Sequence, residues 1–146
     1  MAACVMLSAL IILDSVQQTA LIASLGASSF IAFAMPHVRS SRPRYLLGSY
    51  AIGTIVGCSL SLVAGAVGLT GVMELHSLEI LCAAVATGIA IFVMVVTDTE
   101  HPPAAALALG YVLNDWNLET MIVVFGGILI IVTVKQLSKP MLIDLL

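Results

Sequence analysis

The chain has very little charge. Only 9% of its 146 residues are Asp, Glu, Lys or Arg, whereas 61% are hydrophobic, and the mean hydropathy is +1.17. A typical soluble domain is about 25% charged and about 45–50% apolar. A surface this apolar is not compatible with water, so we expect an integral membrane protein with the lipid bilayer as its solvent. Five Lys and Arg with a net charge of −3 also provide no basic surface for a nucleic acid.

The chain also lacks the motifs of several chemistries. Its cysteines, Cys4, Cys58 and Cys82, lie in apolar runs without C-x-x-C spacing, which predicts small buried side chains rather than disulfides or zinc ligands. No H-E-x-x-H pair, Gly-rich phosphate loop or nucleophile elbow occurs. We therefore expect no enzyme activity, no metal site and no cofactor.

The first residues lack the features of targeting peptides. No Lys or Arg precedes Arg39, so the basic start of a signal peptide is missing, and we expect residues 1–13 to form a first membrane helix. No Ser- and Arg-rich transit segment is present either. This favours a prokaryotic inner membrane over a plastid membrane.

Six apolar segments follow one another along the chain. They cover residues 1–13, 20–35, 45–72, 78–96, 102–113 and 120–137. Segment 78–96 is roughly 28 Å long as a helix, which matches a hydrocarbon core of about 30 Å. The pieces 26–36 and 102–113 are only about 16 and 18 Å long. We predict an all-α membrane protein, a single transmembrane domain over 1–146, with about four full spanning helices and two short or broken ones.

The charged loops orient these segments. Arg39, Arg42 and Arg44 follow the first short piece, and Lys135 and Lys139 flank the end of the last helix. Basic loops face the cytoplasm, so this arrangement predicts that both chain ends are cytoplasmic.

The two short pieces hold equivalent places in the halves 1–73 and 74–146. They begin at Gly26 and His101, 75 residues apart, and the helices that follow begin at Tyr45 and Glu119, 74 residues apart. The loop after the first piece is basic, and the loop after the second is acidic. The two halves thus have their segments in the same order but with opposite orientation in the membrane, which predicts an inverted-topology 3+3 repeat.

The second short piece opens on His101-Pro102-Pro103-Ala104. Proline fits the first position of a helix, where its missing N–H costs nothing, so this motif predicts a helix start. Its N-cap is expected from Asp98, Thr99 or Glu100. The positive end of the helix dipole and unpaired backbone N–H groups should lie there.

The first short piece opens on a glycine and two hydroxyls in the run Gly26-Ala27-Ser28-Ser29. Gly26 permits a helix break, and both serines can donate or accept hydrogen bonds. In an inverted repeat the two helix starts would face each other near the midplane and favour a small anion. We assign the substrate-binding site to Gly26, Ala27, Ser28, Ser29, His101, Pro102, Pro103, Ala104, Thr97 and Thr19, with Gln17, Gln18 and Ser24 as further lining.

Other functions for these residues stay open. Ser28 and Ser29 serve either helix packing or ligand lining, and His101 either forms a structural hydrogen bond or contacts the substrate. The stripe Ser49, Gly53, Gly57, Ser61 and Gly65 serves helix packing, a subunit contact or a pore wall. Tyr111 and Trp116 are expected as interfacial anchors on the outer side.

At these residues the chain resembles the HPP family of integral membrane proteins, named for the tripeptide found here at residues 101–103. The resemblance covers roughly residues 20–115. It rests on Glu100-His101-Pro102-Pro103-Ala104-Ala105-Ala106, Gly26-Ala27-Ser28-Ser29, Pro36-His37 and Arg42-Pro43-Arg44. Ala105 stands where many members are expected to have glycine. The resemblance implies about four spanning helices and a transport function, and the link of plastid members to nitrite implies a small monovalent anion.

The sequence leaves three functions open. The first is a transporter or channel for a small inorganic anion, with nitrite as the leading candidate. The second is a channel or carrier for a neutral or cationic small solute. The third is a membrane sensor or interaction subunit that transports nothing. Besides lipid, we expect a second copy of the chain as a partner.

Overall fold

The computed structural model describes residues 19–69 and 75–138, and helices dominate this part of the chain. They are α1 (Thr19–Ala34), α2 (Pro43–Gly68), α3 (Leu75–Val96), α4 (Pro102–Leu113) and α5 (Leu118–Ser138), with a 3₁₀ turn at Arg39–Ser41 between α1 and α2. No strand occurs within these two ranges. The all-α prediction is therefore confirmed for the described residues.

Three helices, α2, α3 and α5, are long and apolar enough to cross a membrane, whereas α1 and α4 are shorter. The described residues thus contain three full spans, not the four predicted for the whole chain. The first predicted span, residues 1–13, lies outside the described residues, as do Asp14, Gln17, Gln18 and Lys139.

α1 is unbroken through Gly26 and Ser29, so the predicted helix break there was wrong. A glycine inside a helix costs only about 1 kcal/mol relative to alanine, which packing readily offsets. Leu25 of α1 is buried against Gly127 of α5. A Cβ added at Gly127 would lie 3.1 Å from the Leu25 side chain. Tertiary contacts on both sides of the predicted break keep α1 continuous.

α1 and α4 lie side by side and run in opposite directions. Ser28, in the second half of α1, contacts His101 immediately before α4. Leu21, near the start of α1, packs on the last turn of α4, where a Cβ added at Gly110 would lie 2.7 Å from Leu21 Cδ2. The polar residues of the two short pieces therefore meet at one end of this pair.

One end of the bundle gathers the basic loops. Lys135 at the end of α5 donates to the Ser41 carbonyl, and Arg39 forms an ion pair with Asp98 after α3. We call this the basic end. At the opposite, acidic end, Glu79 of α3 and Asp115 after α4 line the same cleft.

Small residues bring α2 and α4 into close contact. A Cβ added at Gly53 would lie 2.5 Å from the Ala104 carbonyl oxygen, and one at Gly57 would lie 2.7 Å from that of Ala108. The predicted packing role of the stripe is confirmed at these two glycines. A Cβ at Gly65, further along the stripe, would meet nothing within 4 Å.

Candidate functional site

The turn between α3 and α4 is built around Asp98. The Thr99 N–H donates to the Met94 carbonyl at 2.9 Å and the Asp98 N–H to the Val95 carbonyl at 3.2 Å, which is the bond pair of a Schellman motif. Asp98 has φ of 51°, in the left-handed region that this cap requires and that Asp tolerates. His101 follows this turn in extended conformation and immediately precedes α4.

α4 begins with few free N–H groups. Pro102 and Pro103 have none, and the Ala104 N–H donates to the His101 carbonyl at 2.9 Å. His101 is itself the N-cap, without a side-chain bond to the helix, so the N-cap predicted from Asp98, Thr99 or Glu100 was wrong. The positive dipole end remains, but it presents fewer donors to an anion than the sequence suggested.

His101 is buried, and both of its ring nitrogens are hydrogen-bonded. Nδ1 lies 2.9 Å from the Ser40 carbonyl oxygen, and Nε2 lies 2.7 Å from Ser28 Oγ. Because a carbonyl only accepts, we assign the proton to Nδ1, and in the neutral ring Nε2 then accepts from the Ser28 hydroxyl. The imidazole thereby joins α1, the 3₁₀ turn and the start of α4.

Tyr50 of α2 extends this set of contacts. Its OH lies 2.8 Å from Ser28 Oγ and 3.4 Å from Ser24 Oγ, and Ser24 donates to the Leu21 carbonyl at 2.9 Å. Ser28 donates to His101 and Ser24 to Leu21, so both serine oxygens can accept from the one Tyr50 O–H, and every O–H finds an acceptor. We call Ser24, Ser28, Tyr50 and His101 the His101 cluster.

Three other buried hydroxyls within the described ranges lack a hydrogen-bond partner: those of Ser29, Thr54 and Tyr111. Thr54 lies one helical turn beyond Tyr50 on α2, and its hydroxyl interacts with the hydroxyl of Tyr111 on α4, although the two do not reach the geometry of a full hydrogen bond. Most buried polar groups in proteins are paired, so each exception calls for a reason.

Polar side chains continue toward the acidic end. The Tyr111 ring meets the Trp116 ring edge-on at 6.3 Å, and Trp116 Nε1 donates to Ser61 Oγ of α2 at 3.0 Å. Ser61 and Trp116 line the cleft of about 600 Å³ that also holds Glu79 and Asp115. We call the residues Ser28, His101, Tyr50, Thr54, Tyr111, Trp116 and Ser61 the polar track.

A second cleft, of about 320 Å³, opens at the basic end, where His101 and Glu100 lie among apolar residues of α3 and α4. The polar track therefore begins at a cleft at one end of the bundle and reaches a cleft at the other. It follows the contact between α2 and α4.

An ion pair on the surface of the basic end fixes the loops around His101. Arg39 Nη2 donates to Asp98 Oδ1 at 2.7 Å and to the Tyr45 hydroxyl at 2.7 Å, and Tyr45 donates to Asp98 Oδ2 at 3.1 Å. The hydrogen bond with Tyr45 and the charge of Asp98 raise the pKa of the Arg39 guanidinium, so it stays charged. Asp98 is thus engaged with Arg39 and Tyr45, whereas the ring nitrogens of His101 bind Ser28 and Ser40.

Comparison with known proteins supplies one decisive finding. The family model described as HPP, transmembrane region, matches residues 1–142. The chain belongs to the HPP family. No curated protein and no solved structure matches it. As a member of a transmembrane family with three long apolar helices, this HPP protein is an integral membrane protein, with lipid around those helices.

The structure brings some of the predicted site residues of this HPP protein together. Ser28 and His101 are in direct contact, although 73 residues separate them. Ser29 is buried beside Ser28. Pro103 and Ala104 are buried in the first turn of α4, and Gly26 is half-buried in α1.

Other predicted site residues lie elsewhere. Ala27 is exposed on α1, and Pro102 is exposed where it lines the basic-end cleft. The Thr97 hydroxyl bonds the Val93 carbonyl and Thr99 Oγ1, neither of which belongs to the His101 cluster. α1 begins at Thr19, whose side chain is not among those described.

Sequence reasoning missed both tyrosines of the polar track. No motif in the sequence points to Tyr50, and the expectation that Tyr111 is an interfacial anchor was wrong, because Tyr111 is fully buried. A tyrosine inside an apolar segment is itself a signal, since a buried hydroxyl requires a partner. Trp116 is half-buried, with its N–H bonded to Ser61 of α2.

Proposed function

We propose that this HPP protein is a transmembrane transporter or channel for a small anion, with nitrite as the leading candidate, and that it performs no chemical conversion. The polar track carries the proposal. In a protein whose surface is apolar, its side chains form a buried row from His101, at the cleft of the basic end, to Trp116 and Ser61, at the cleft of the acidic end. Polar groups inside a membrane domain are costly and typically mark a solute path.

Hydroxyl groups are suited to a small oxyanion because they rotate to donate wherever an acceptor oxygen arrives. Ser29, Thr54 and Tyr111 have O–H groups without an acceptor among the described residues. The positive dipole end of α4 lies beside His101 and adds a favourable potential for negative charge. Arg39, Arg42 and Arg44 raise the local concentration of anions at the basic end.

Opposite orientation of the two halves is part of the proposal. α1 and α4 run antiparallel, and each is followed by a long helix, which supports an inverted 3+3 repeat. The basic loops support a cytoplasmic basic end in a prokaryotic inner membrane, with both chain ends on that side. We further propose a homo-oligomer, in which exposed apolar faces of the long helices would meet.

A neutral solute is the second candidate, and the lack of positive charge along the track supports it. No Lys or Arg belongs to the His101 cluster or to the rest of the polar track, and the acidic-end cleft carries Glu79 and Asp115. The two prolines at the start of α4 also remove N–H donors that an anion would use. A small neutral molecule such as urea needs no positive charge along the track.

Flux into proteoliposomes tests the proposed function. We expect the wild-type protein to admit nitrite faster than empty vesicles do, and Ser28→Ala to reduce this flux about tenfold, the effect of losing roughly 1.4 kcal/mol of interaction. The matched control is Ser59→Ala, because Ser59 is an exposed serine of α2 whose hydroxyl bonds the Ile55 carbonyl of its own helix. Its flux should equal that of the wild type.

The same vesicles separate the two candidate solutes. Urea entry without nitrite entry would favour the neutral-solute alternative, and equal permeability of protein-containing and empty vesicles to both would refute transport. Circular dichroism must show that the Ser28→Ala variant keeps the wild-type helix content.

A further inference from the structure

Thr54 and Tyr111 lie deeper in the bundle than the His101 cluster. At about 1.5 Å per residue, Thr54 is roughly 17 Å from the start of α2 and about 21 Å from its end. Tyr50, which contacts Ser28, is only about 10 Å from the same start. The two unpaired hydroxyls therefore lie close to the middle of a helix long enough to span the membrane.

Thr54 differs from other threonines of the described helices. Thr87, within α3, bonds the Ala83 carbonyl, and Thr97, directly after α3, bonds the Val93 carbonyl, in each case four residues earlier in the chain. Thr54 makes no such bond, although only 6% of it is exposed. Its hydroxyl is thus left available on the side where Tyr111 lies.

Tyr111, on α4, is also buried with a hydroxyl that lacks a full hydrogen bond. It is 0% exposed, and its hydroxyl has only the interaction with Thr54. Its Cβ would lie 2.9 Å from a Cβ added at Gly57, so Tyr111 is held against α2 within the close contact between the two helices. Valine and phenylalanine would fill the same volumes, and the interaction between the two hydroxyls falls short of a full hydrogen bond, so packing alone gives no reason for these two residues.

We propose that Thr54 and Tyr111 form a central solute subsite, at which their two hydroxyls donate to the two oxygens of a small oxyanion such as nitrite. The inference rests on the proposed function and deepens it by assigning a binding site beyond the His101 cluster. Tyr50 and Cys58 are the ionisable neighbours that Tyr111 faces on α2. The subsite thus adjoins the His101 cluster through Tyr50 and leads to the acidic-end cleft through Trp116.

Thr54→Val, Tyr111→Phe and the double variant test the subsite. We expect nitrite flux to fall about tenfold in each single variant and further in the double variant, since each removes one donor to the solute. The melting temperature in detergent should stay unchanged or rise, because an unpaired buried hydroxyl is removed. Thr87→Val is the matched control, and its flux should equal that of the wild type.

The outcomes distinguish the subsite from the wider proposal. Wild-type flux in both single variants, with Ser28→Ala still impaired, would overturn the subsite and leave the transport function standing. A lower melting temperature together with lost flux would assign Thr54 and Tyr111 a structural role and would also overturn the subsite. Absence of nitrite flux in the wild type would overturn the anion-transport proposal and, with it, the subsite.

Discussion

Gly53→Val is expected to lower the free energy of unfolding by about 3 kcal/mol or more, the upper range for overpacking a core. A Cβ at Gly53 would lie 2.5 Å from the Ala104 carbonyl oxygen, a backbone atom that cannot rotate away. Relief requires α2 and α4 to separate. This would also disrupt the contact along which the polar track runs.

The measurement is thermal or denaturant unfolding in detergent, followed by circular dichroism. Gly65→Val is the matched control on the same helix and in the same stripe, because a Cβ at Gly65 would meet nothing within 4 Å. Its stability should change by less than about 0.5 kcal/mol. Equal stability of the two variants would show that the close contact between α2 and α4 does not exist in the protein.

Lys135→Met is expected to lower the free energy of unfolding by about 2–3 kcal/mol, since a buried carbonyl is left without its donor. The Lys135 ammonium is buried at the basic end and donates to the Pro36 carbonyl at 3.0 Å, to the Ser41 carbonyl and to Ser41 Oγ at 2.7 Å. These bonds hold the loop that contains Ser40. Because the Ser40 carbonyl binds His101, flux should fall together with stability.

The control for this variant is Gln136→Met, at the exposed position next to Lys135 in α5. Unfolding in detergent and nitrite flux are compared for the two variants. Only Lys135→Met should lower both quantities. If Lys135→Met unfolded like the wild type, the ammonium would not be holding the 36–41 loop.

Much of the architecture could be predicted from the sequence, because it depends on local properties. Residues 102–113 were predicted as a short helix, and α4 has those bounds, since Pro102 starts a helix and no later residue before Asn114 stops it. The small-residue stripe of α2 also predicted close packing, because glycine or serine at every fourth position leaves a groove on one face. Arg39 and Lys135, 96 residues apart in sequence, were both predicted for one side and lie at the basic end.

The candidate site could be predicted only in part. Ser28 and His101 were both selected, yet for a geometry of facing helix starts that the continuous α1 does not form. Tyr50 and Tyr111 carry no motif, so only packing reveals that their hydroxyls enter the polar track. The close approach of Lys135 to Ser41 likewise joins residues far apart in sequence.

The sequence by itself determined that the chain is helical, lies in a membrane and concentrates its basic residues on one side, because composition, segment length and charge act locally. The tertiary structure decided that α1 continues through Gly26, that His101 bonds Ser28 and Ser40, and that Tyr111 is buried. A break at glycine is worth only about 1 kcal/mol, so packing from neighbouring helices outweighs it. Hydrogen-bond partners from different helices become fixed only when those helices pack together.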